Sequence, residues 1–367
     1  MSTVARAQRT SRAGAETAPV LLTWYDHERR DLPWRYQPGQ AADPYRVWLS
    51  EIMLQQTTVK AVIPYFERFV KLWPDVRDLA AADEESVLQA WAGLGYYSRA
   101  RNLHACAIAI VADHDGSFPR SEAELAKLPG IGPYTAAAIA AIAFDETATP
   151  VDGNVERVVS RLFAVEQAMP QSKPRLRELA RTLTPDQRSG DFAQAMMDLG
   201  ATVCTPKRPS CMICPLEGQC DAHALGIAAN LPVKSVKPDR PVRHGFAFIA
   251  LSEDGQLLLR QRPDTGLLAR MLEVPSTEWL DDPTPAHDAV QAAPVRADWW
   301  RVPGTVVHTF THFRLEIEIY RAVVPADAPL TFWADSKRCR WVARGDLDGQ
   351  ALPSVMRKII AHGLKAQ

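Results

Sequence analysis

No run of about eighteen apolar residues occurs anywhere in the 367-residue chain, so no membrane-spanning helix is expected. Excess positive charge is missing too. The 42 Lys and Arg stand against 43 Asp and Glu, a formal net charge of −1. The chain as a whole is therefore not a basic nucleic-acid binder, and any such contact must come from local patches, loop amides and helix ends. The first sixteen residues carry Arg6, Arg9 and Arg12 among small residues but lack the apolar stretch of a secretory signal. Residues 1–17 are expected to be a disordered tail, with a transit peptide as the alternative, and the protein is expected to be cytoplasmic. Six cysteines do not suggest a disulfide scaffold in a chain of this length. Internal repeats are also lacking. What is present, 47% hydrophobic and 23% charged residues, fits a soluble globular protein with room for two domains.

The expected division is an all-α domain over 18–230, a linker over 231–241 and an α+β domain over 242–365. From Val20 to about Ala229 the sequence reads as helices joined by short turns. Ser86–Trp91, Glu122–Leu128 and Val155–Leu162 all show helical spacing of apolar residues. Val155, Val158, Val159 and Leu162 share one face. Three prolines between Leu231 and Pro241 give a linker composition. Beyond it, Gly245–Leu251, a turn at 252–255 and Leu257–Arg260 read as a hairpin. Arg314–Tyr320 alternates strictly, with Leu315, Ile317 and Ile319 on one face. A final helix is expected from Ser354 to His362.

Cys204, Cys211, Cys214 and Cys220 follow the spacing C-x6-C-x2-C-x5-C. Four thiolates in one short, proline-containing loop suit a single centre. A structural zinc and an iron–sulfur cluster both accept such a set, but zinc ribbons usually pair two C-x2-C knuckles and only Cys211 and Cys214 form one here. Cys106 and Cys339 stand alone and read as ordinary thiols.

Leu128-Pro-Gly-Ile-Gly-Pro-Tyr-Thr-Ala136 lies between two helical segments. Gly130 and Gly132 allow a tight turn and close approach of a phosphate to backbone amides, and Pro133 can open the next helix, whose N-terminus favours an anion. An ordinary glycine turn between helices reads the same way. Glu51 shares a helix face with Val47, Trp48 and Leu54. A carboxylate in an apolar stripe is costly unless protonated or partnered, which suits either a general acid or a buried pair with a residue such as Arg46. Asp152 stands just ahead of a helix, where aspartate is a common N-cap.

Taken in order, these strings resemble the MutY family, helix-hairpin-helix DNA glycosylases with a [4Fe–4S] loop and a Nudix-like C-terminal domain. The similarity covers roughly residues 20 to 363. It implies that the four cysteines of loop 204–220 hold the cluster, the stretch between Cys204 and Cys211 with Lys207 and Arg208 meets the DNA backbone, and Gly130 and Gly132 grip it without reading sequence. Ser50-Glu-Ile-Met-Leu-Gln-Gln-Thr57 matches the string whose glutamate protonates adenine, and Val151-Asp-Gly-Asn-Val-Glu-Arg157 the one whose aspartate stabilises the sugar cation. On that footing Glu51 and Asp152 are the catalytic pair, with Asn154 holding Asp152. The lysine nucleophile of bifunctional relatives is replaced by Tyr134, which cannot form a Schiff base and implies a monofunctional enzyme. Arg30, Leu32, Trp34 and Arg35 would line the adenine pocket, Gln194 would hydrogen-bond the flipped base, Tyr96 would wedge into the stack and Gln56 would fill the gap beside the lesion pair.

The second domain lacks the R-E-x-x-E-E cluster of a catalytic Nudix helix, since Ser276-Thr-Glu-Trp-Leu-Asp-Asp282 stands in its place. Recognition without hydrolysis is expected there, through Phe310, Thr311 and His312. Thr311 departs from the family's usual serine but keeps a hydroxyl that donates and accepts. The resemblance thus implies a monomeric enzyme that removes adenine from duplex DNA opposite 8-oxoguanine or guanine. The alternatives are an endonuclease III-like glycosylase/lyase, a nucleotide-pool Nudix hydrolase and a non-enzymatic DNA-binding protein with a structural metal.

Overall fold

The computed structural model describes residues 3–235, 240–283, 285–331 and 337–365, with side chains from Gly14 onward except Ala15 and Ala286. The chain forms two compact units, Met1–Asp83 with Arg101–Val236 and Glu84–Ala100 with Lys237–Gln367. The helices in chain order are α1 (Thr3–Glu28), α2 (Pro44–Leu54), α3 (Val59–Leu72), α4 (Val76–Ala81), α5 (Glu84–Trp91), α6 (Ser98–His114) and α7 (Glu122–Leu125). They continue as α8 (Pro133–Phe144), α9 (Gly153–Leu162), α10 (Lys173–Leu183), α11 (Ser189–Thr202) and α12 (Asp221–Ala224). The strands are β1 (Val242–Ser252), β2 (Leu257–Gln261), β3 (Leu272–Glu273), β4 (Trp300–Thr309), β5 (Arg314–Val324) and β6 (Cys339–Val342), with α13 (Ala286–Gln291) and α14 (Ser354–Lys365).

In the helical unit α8 is apolar on every side, and Thr135–Ala141 is buried throughout, as expected of a central helix. It packs against α2 and α11. The amphipathic face of α9 sends Val155, Val158, Val159 and Leu162 into a core with Leu21 and Tyr25 of α1, Leu176 of α10 and Phe192 and Leu199 of α11. That core fixes the N-termini of α8 and α9 beside α2 and α11.

Three expectations differ from the structure. The segment read as a disordered tail is helical from Thr3. Ala, Arg and Gln are good helix formers, and tertiary contacts anchor the end of the segment: Thr17 is buried, with its hydroxyl 2.6 Å from Gln219 Oε1. The helix expected over 122–128 stops at Leu125. Pro129 disfavours helical backbone at the residue before it. The start of the expected linker is tied down: Leu231 is buried, and Met169 and Val233 exchange a backbone hydrogen bond of 2.8 Å. Residues 236–239 of that linker lie outside the described residues.

In the second unit the sheet order is β3-β2-β1-β5-β4, with β6 also paired to β2. The hairpin forms as expected, Leu251 opposite Leu257, and β5 lies parallel to β1 from Val242↔Arg314 to Ser252↔Val324. Period-two alternation sends Ala247, Ile249, Leu315, Ile317 and Ile319 to one face, where Val355, Met356 and Ile359 of α14 cover them. Phe248 and Ala250 face the other side. Glu273 is fully buried and paired with Arg260 and Arg262, which answers its charge inside the core.

Candidate active site

A cavity of about 730 Å³ opens in the helical unit between α2, the N-termini of α8 and α9, and α11. It is lined by twelve of the residues singled out in the sequence. The loop after α1 brings Arg30, Leu32, Trp34 and Arg35, and α2 brings Glu51 with Gln56 just beyond its end. The glycine turn and α8 bring Gly130, Gly132 and Tyr134, while Asp152, Asn154 and Gln194 complete the set.

Glu51 is 8% exposed, and burial pushes its carboxyl from the ordinary 4.5 up to about 7. The Tyr134 hydroxyl hydrogen-bonds to it and opposes the rise, the charge of Asp152 adds to it, and Arg35 opposes it more weakly. Tyr134 is itself pushed well above 10, first by burial, so it remains a donor. Arg46, the alternative partner for Glu51, instead stands 3.9 Å from Asp43. Near neutral pH, therefore, Glu51 is poised to hold or release a proton.

Asp152 is indeed the N-cap of α9. Oδ1 accepts from the backbone of Asn154 (2.9 Å) and Val155 (2.8 Å), and Oδ2 accepts from Asn154 Nδ2 at 2.7 Å. The capping geometry and the site geometry are the same geometry, because the cap aims this carboxylate into the cavity that Glu51 lines. Asn154 is held in turn by Arg157, which donates to its Oδ1 at 2.9 Å.

The sequence reading missed Asp198. It is fully buried on α11, accepting from Arg35 Nη1 (2.6 Å) and Nη2 (2.8 Å) and from Arg30 Nε (2.7 Å). An aspartate four residues after Gln194, directly behind the apolar run Ala195–Met197, was the available signal. Gln55 and Thr135, 3.3 Å apart at Nε2 and Oγ1, line the cavity and were likewise not singled out.

Gly130 takes a φ of +73°, and a Cβ there would stand 2.6 Å from Asn102 Cβ, so the turn requires glycine. Gly132 is the N-cap of α8 with no side-chain cap, leaving the first amides of the helix for an anion. Lys207 and Arg208 are exposed in the cysteine loop. The loop is strapped to α9 by Arg161, which is 1% exposed and donates to Cys204 Sγ (3.2 Å), Thr205 O (2.8 Å) and Leu231 O (3.0 Å). Cys204 acts electrostatically on Cys211, Cys214 and Cys220, so the four sulfurs share one neighbourhood. Among the described residues no three His, Cys, Asp or Glu side chains are grouped as single-ion ligands would be.

The remaining predicted residues lie in the other unit. Tyr96 is 53% exposed on a left-handed turn (φ +49°). Trp91 Nε1 donates to Gly95 O at 3.0 Å, and Arg99 sits 5.6 Å from the Tyr96 ring centroid. Phe310 stacks on Phe313 with centroids 4.7 Å apart, and Trp279 lies 5.7 Å from Phe310. The Phe310 amide bonds Phe313 O at 2.9 Å, closing a turn on which Thr311 and His312 are exposed.

Fold and site define a helix-hairpin-helix base-excision glycosylase followed by a Nudix-like unit. Residues 49–185 match the HhH-GPD superfamily of base excision DNA repair proteins, and residues 246–362 match the NUDIX domain. The chain is 38% identical to adenine DNA glycosylase of Homo sapiens, over 92% of this chain and 72% of that one. It is 41% identical to the Mycolicibacterium smegmatis adenine DNA glycosylase, over 75% of this chain and 90% of that one. Among solved structures, that of a thermostable thymine-DNA glycosylase is 29% identical with a TM-score of 0.52, covering 59% of this chain and 99% of that chain. The chain belongs to the adenine DNA glycosylase (MutY) family, hydrolases of N-glycosyl bonds. Among the described residues no helix is long and apolar enough to cross a membrane.

Proposed function

We propose that the protein removes adenine mispaired with 8-oxoguanine or guanine from duplex DNA, leaving an abasic site. The observation that carries this reading is one cavity lined by both a buried Glu51 with its carboxyl raised to about 7 and an Asp152 fixed by three donors. The target nucleotide leaves the stack and enters the cavity, where Gln194 meets the edge of the base. Glu51 delivers a proton to the adenine N7, which makes the base a better leaving group. As the glycosidic bond breaks, the Asp152 carboxylate stabilises the positive charge on the sugar. Water then adds to the sugar carbon and loses a proton. Two carboxyl groups in different environments divide the work: burial keeps Glu51 able to hold a proton, and the helix cap fixes Asp152. Tyr134 orients Glu51 and supplies no amine, so base release is not coupled to strand cleavage.

Cys204, Cys211, Cys214 and Cys220 would hold a [4Fe–4S] cluster. Its fit is supported by the all-thiol donor set and by the buried Arg161 cation donating to Cys204. When bound, the cluster would be structural, ordering the loop that presents Lys207 and Arg208 to phosphates. Phe310, Thr311 and His312 of the Nudix-like unit would read the base opposite adenine. We take the enzyme to work as a monomer. The reading is tested by single-turnover excision on duplexes that differ only in the target pair. Fastest adenine release opposite 8-oxoguanine is expected; release of oxidised pyrimidines instead would overturn it.

A further inference from the structure

Asp198 stands behind the cavity, bonded to two arginines that line it. It lies one turn beyond Gln194 on α11 and is wholly inaccessible. Its two oxygens take both outer nitrogens of Arg35, and also accept from Arg30 Nε and from the Arg30 backbone amide at 3.0 Å. Both arginines line the same cavity as Glu51. Arg35 is itself buried and acts electrostatically on Glu51 and Tyr134. The other groups facing this cluster are Tyr25 of α1, whose ring lies 6.0 Å from the Arg35 guanidinium, Asp191 of α11 and Asp152 at the start of α9.

A guanidinium in a site of low dielectric seeks a carboxylate. With Asp198 present, the Arg35 fork is occupied face to face. Without it, the next carboxyl that Arg35 would hold in ionised form is Glu51. An ion pair there would strip Glu51 of the proton it must deliver.

We propose that Asp198 is a positioning residue for the acid step: by engaging Arg35 it keeps Glu51 out of an ion pair and able to carry a proton. The inference rests on the reading of Glu51 as the general acid and goes beyond it, because Asp198 touches neither base nor sugar in this scheme.

The test is the pH profile of single-turnover adenine excision from an A:8-oxoguanine duplex, from pH 5 to 9, with the intact protein. The wild-type rate is expected to fall as pH rises through about 7. In Asp198→Asn that limb moves down by about one pH unit, so the deficit at pH 8 is roughly tenfold larger than at pH 5. Asp198→Glu keeps the charge but loses the fork geometry, and its limb falls between the two; it decides the matter if Asp198→Asn does not fold in a thermal melt. Adding Arg35→Gln to Asp198→Asn removes the stranded cation and returns the limb toward its wild-type position, even though the rate is lower. Slowing by the same factor at every pH, with the limb unmoved, overturns the inference and leaves Glu51 as the acid. Near-normal excision by Glu51→Gln is a different failure: it removes the acid role itself, and the inference with it.

Discussion

Arg157 joins the cysteine loop to the capped carboxylate: its Nε donates to the Cys204 carbonyl at 2.7 Å and its Nη2 to Asn154 Oδ1 at 2.9 Å. The same guanidinium also bonds Gly200 O at 2.6 Å, tying α11 to α9. Since Asn154 Nδ2 holds Asp152, the loop and the Asp152 carboxylate are two ends of one polar chain.

Arg157→Leu should therefore damage both stability and chemistry. The Cys204 and Gly200 carbonyls would lose a charged donor, and each buried acceptor left bare costs about 1–3 kcal/mol. Asp152 would lose the brace behind Asn154. Denaturant unfolding should show the stability loss, and single-turnover excision should slow with duplex affinity nearly kept. Wild-type stability in this variant would show the chain of bonds to be inert.

Glu51→Gln should all but stop base release while making the protein more stable at high pH. General acid–base catalysis is typically worth about 10²–10⁴-fold. The stability effect follows from the sign of the shift. The Glu51 carboxyl is near 4.5 when unfolded and about 7 when folded, so the native state holds the extra proton between those values. Stability is therefore lost as pH rises through that window, by up to about 3 kcal/mol above it. Glutamine has no such loss. Unfolding curves at pH 5 and pH 8 should separate the variant from the wild type mainly at pH 8.

Much of this site could be read before folding, for reasons that differ by residue. Glu51 stood out because a charge in an apolar helical stripe must have a partner or a proton. Asp152 was ambiguous between cap and catalyst, and the structure makes it a cap whose carboxylate also faces the cavity. Asp198 was hidden because its two partners, Arg30 and Arg35, come from a loop more than 160 residues earlier, and sequence spacing carries no trace of that meeting. The sheet was legible where one face is apolar, as in β5. The short β3 and β6 carry too few residues to show alternation, and the helix from Thr3 was obscured by a polar composition that suits both a helix and a free tail.

Borohydride should trap little of the wild-type protein on substrate DNA, because Tyr134 stands where an amine would be needed and its hydroxyl is held against Glu51. The measurement is the yield of covalent protein–DNA complex after reduction, beside an endonuclease III-type lyase as control. Efficient trapping would point to a nucleophilic amine elsewhere in the cavity. Tyr134→Phe, by contrast, keeps the ring and removes the donor that opposes the rise of the Glu51 carboxyl. The limb of its excision profile should move to higher pH.

Thr311 and His312 should set the preference for 8-oxoguanine over guanine opposite the adenine. They are exposed at a turn closed by the Phe310–Phe313 backbone bond and backed by stacked rings, so they can be changed without opening the core. The two bases differ at one edge: the lesion carries an oxo group at C8 and a hydrogen on N7, where guanine N7 only accepts. A hydroxyl, which both donates and accepts, can answer either feature of the lesion. One hydrogen bond gained or lost at that edge is worth about 1–3 kcal/mol when the groups are desolvated, roughly five- to more than a hundredfold in the ratio. Changing both residues to alanine should bring the excision rates and affinities for the two pairs closer together while leaving the melting temperature and the intrinsic rate of base release nearly unaltered. Phe310→Ala differs, because it also removes a ring packed on Phe313 and Trp279 and should lower stability as well as preference. An unchanged ratio in the double variant would move lesion recognition out of this turn and into the helical unit.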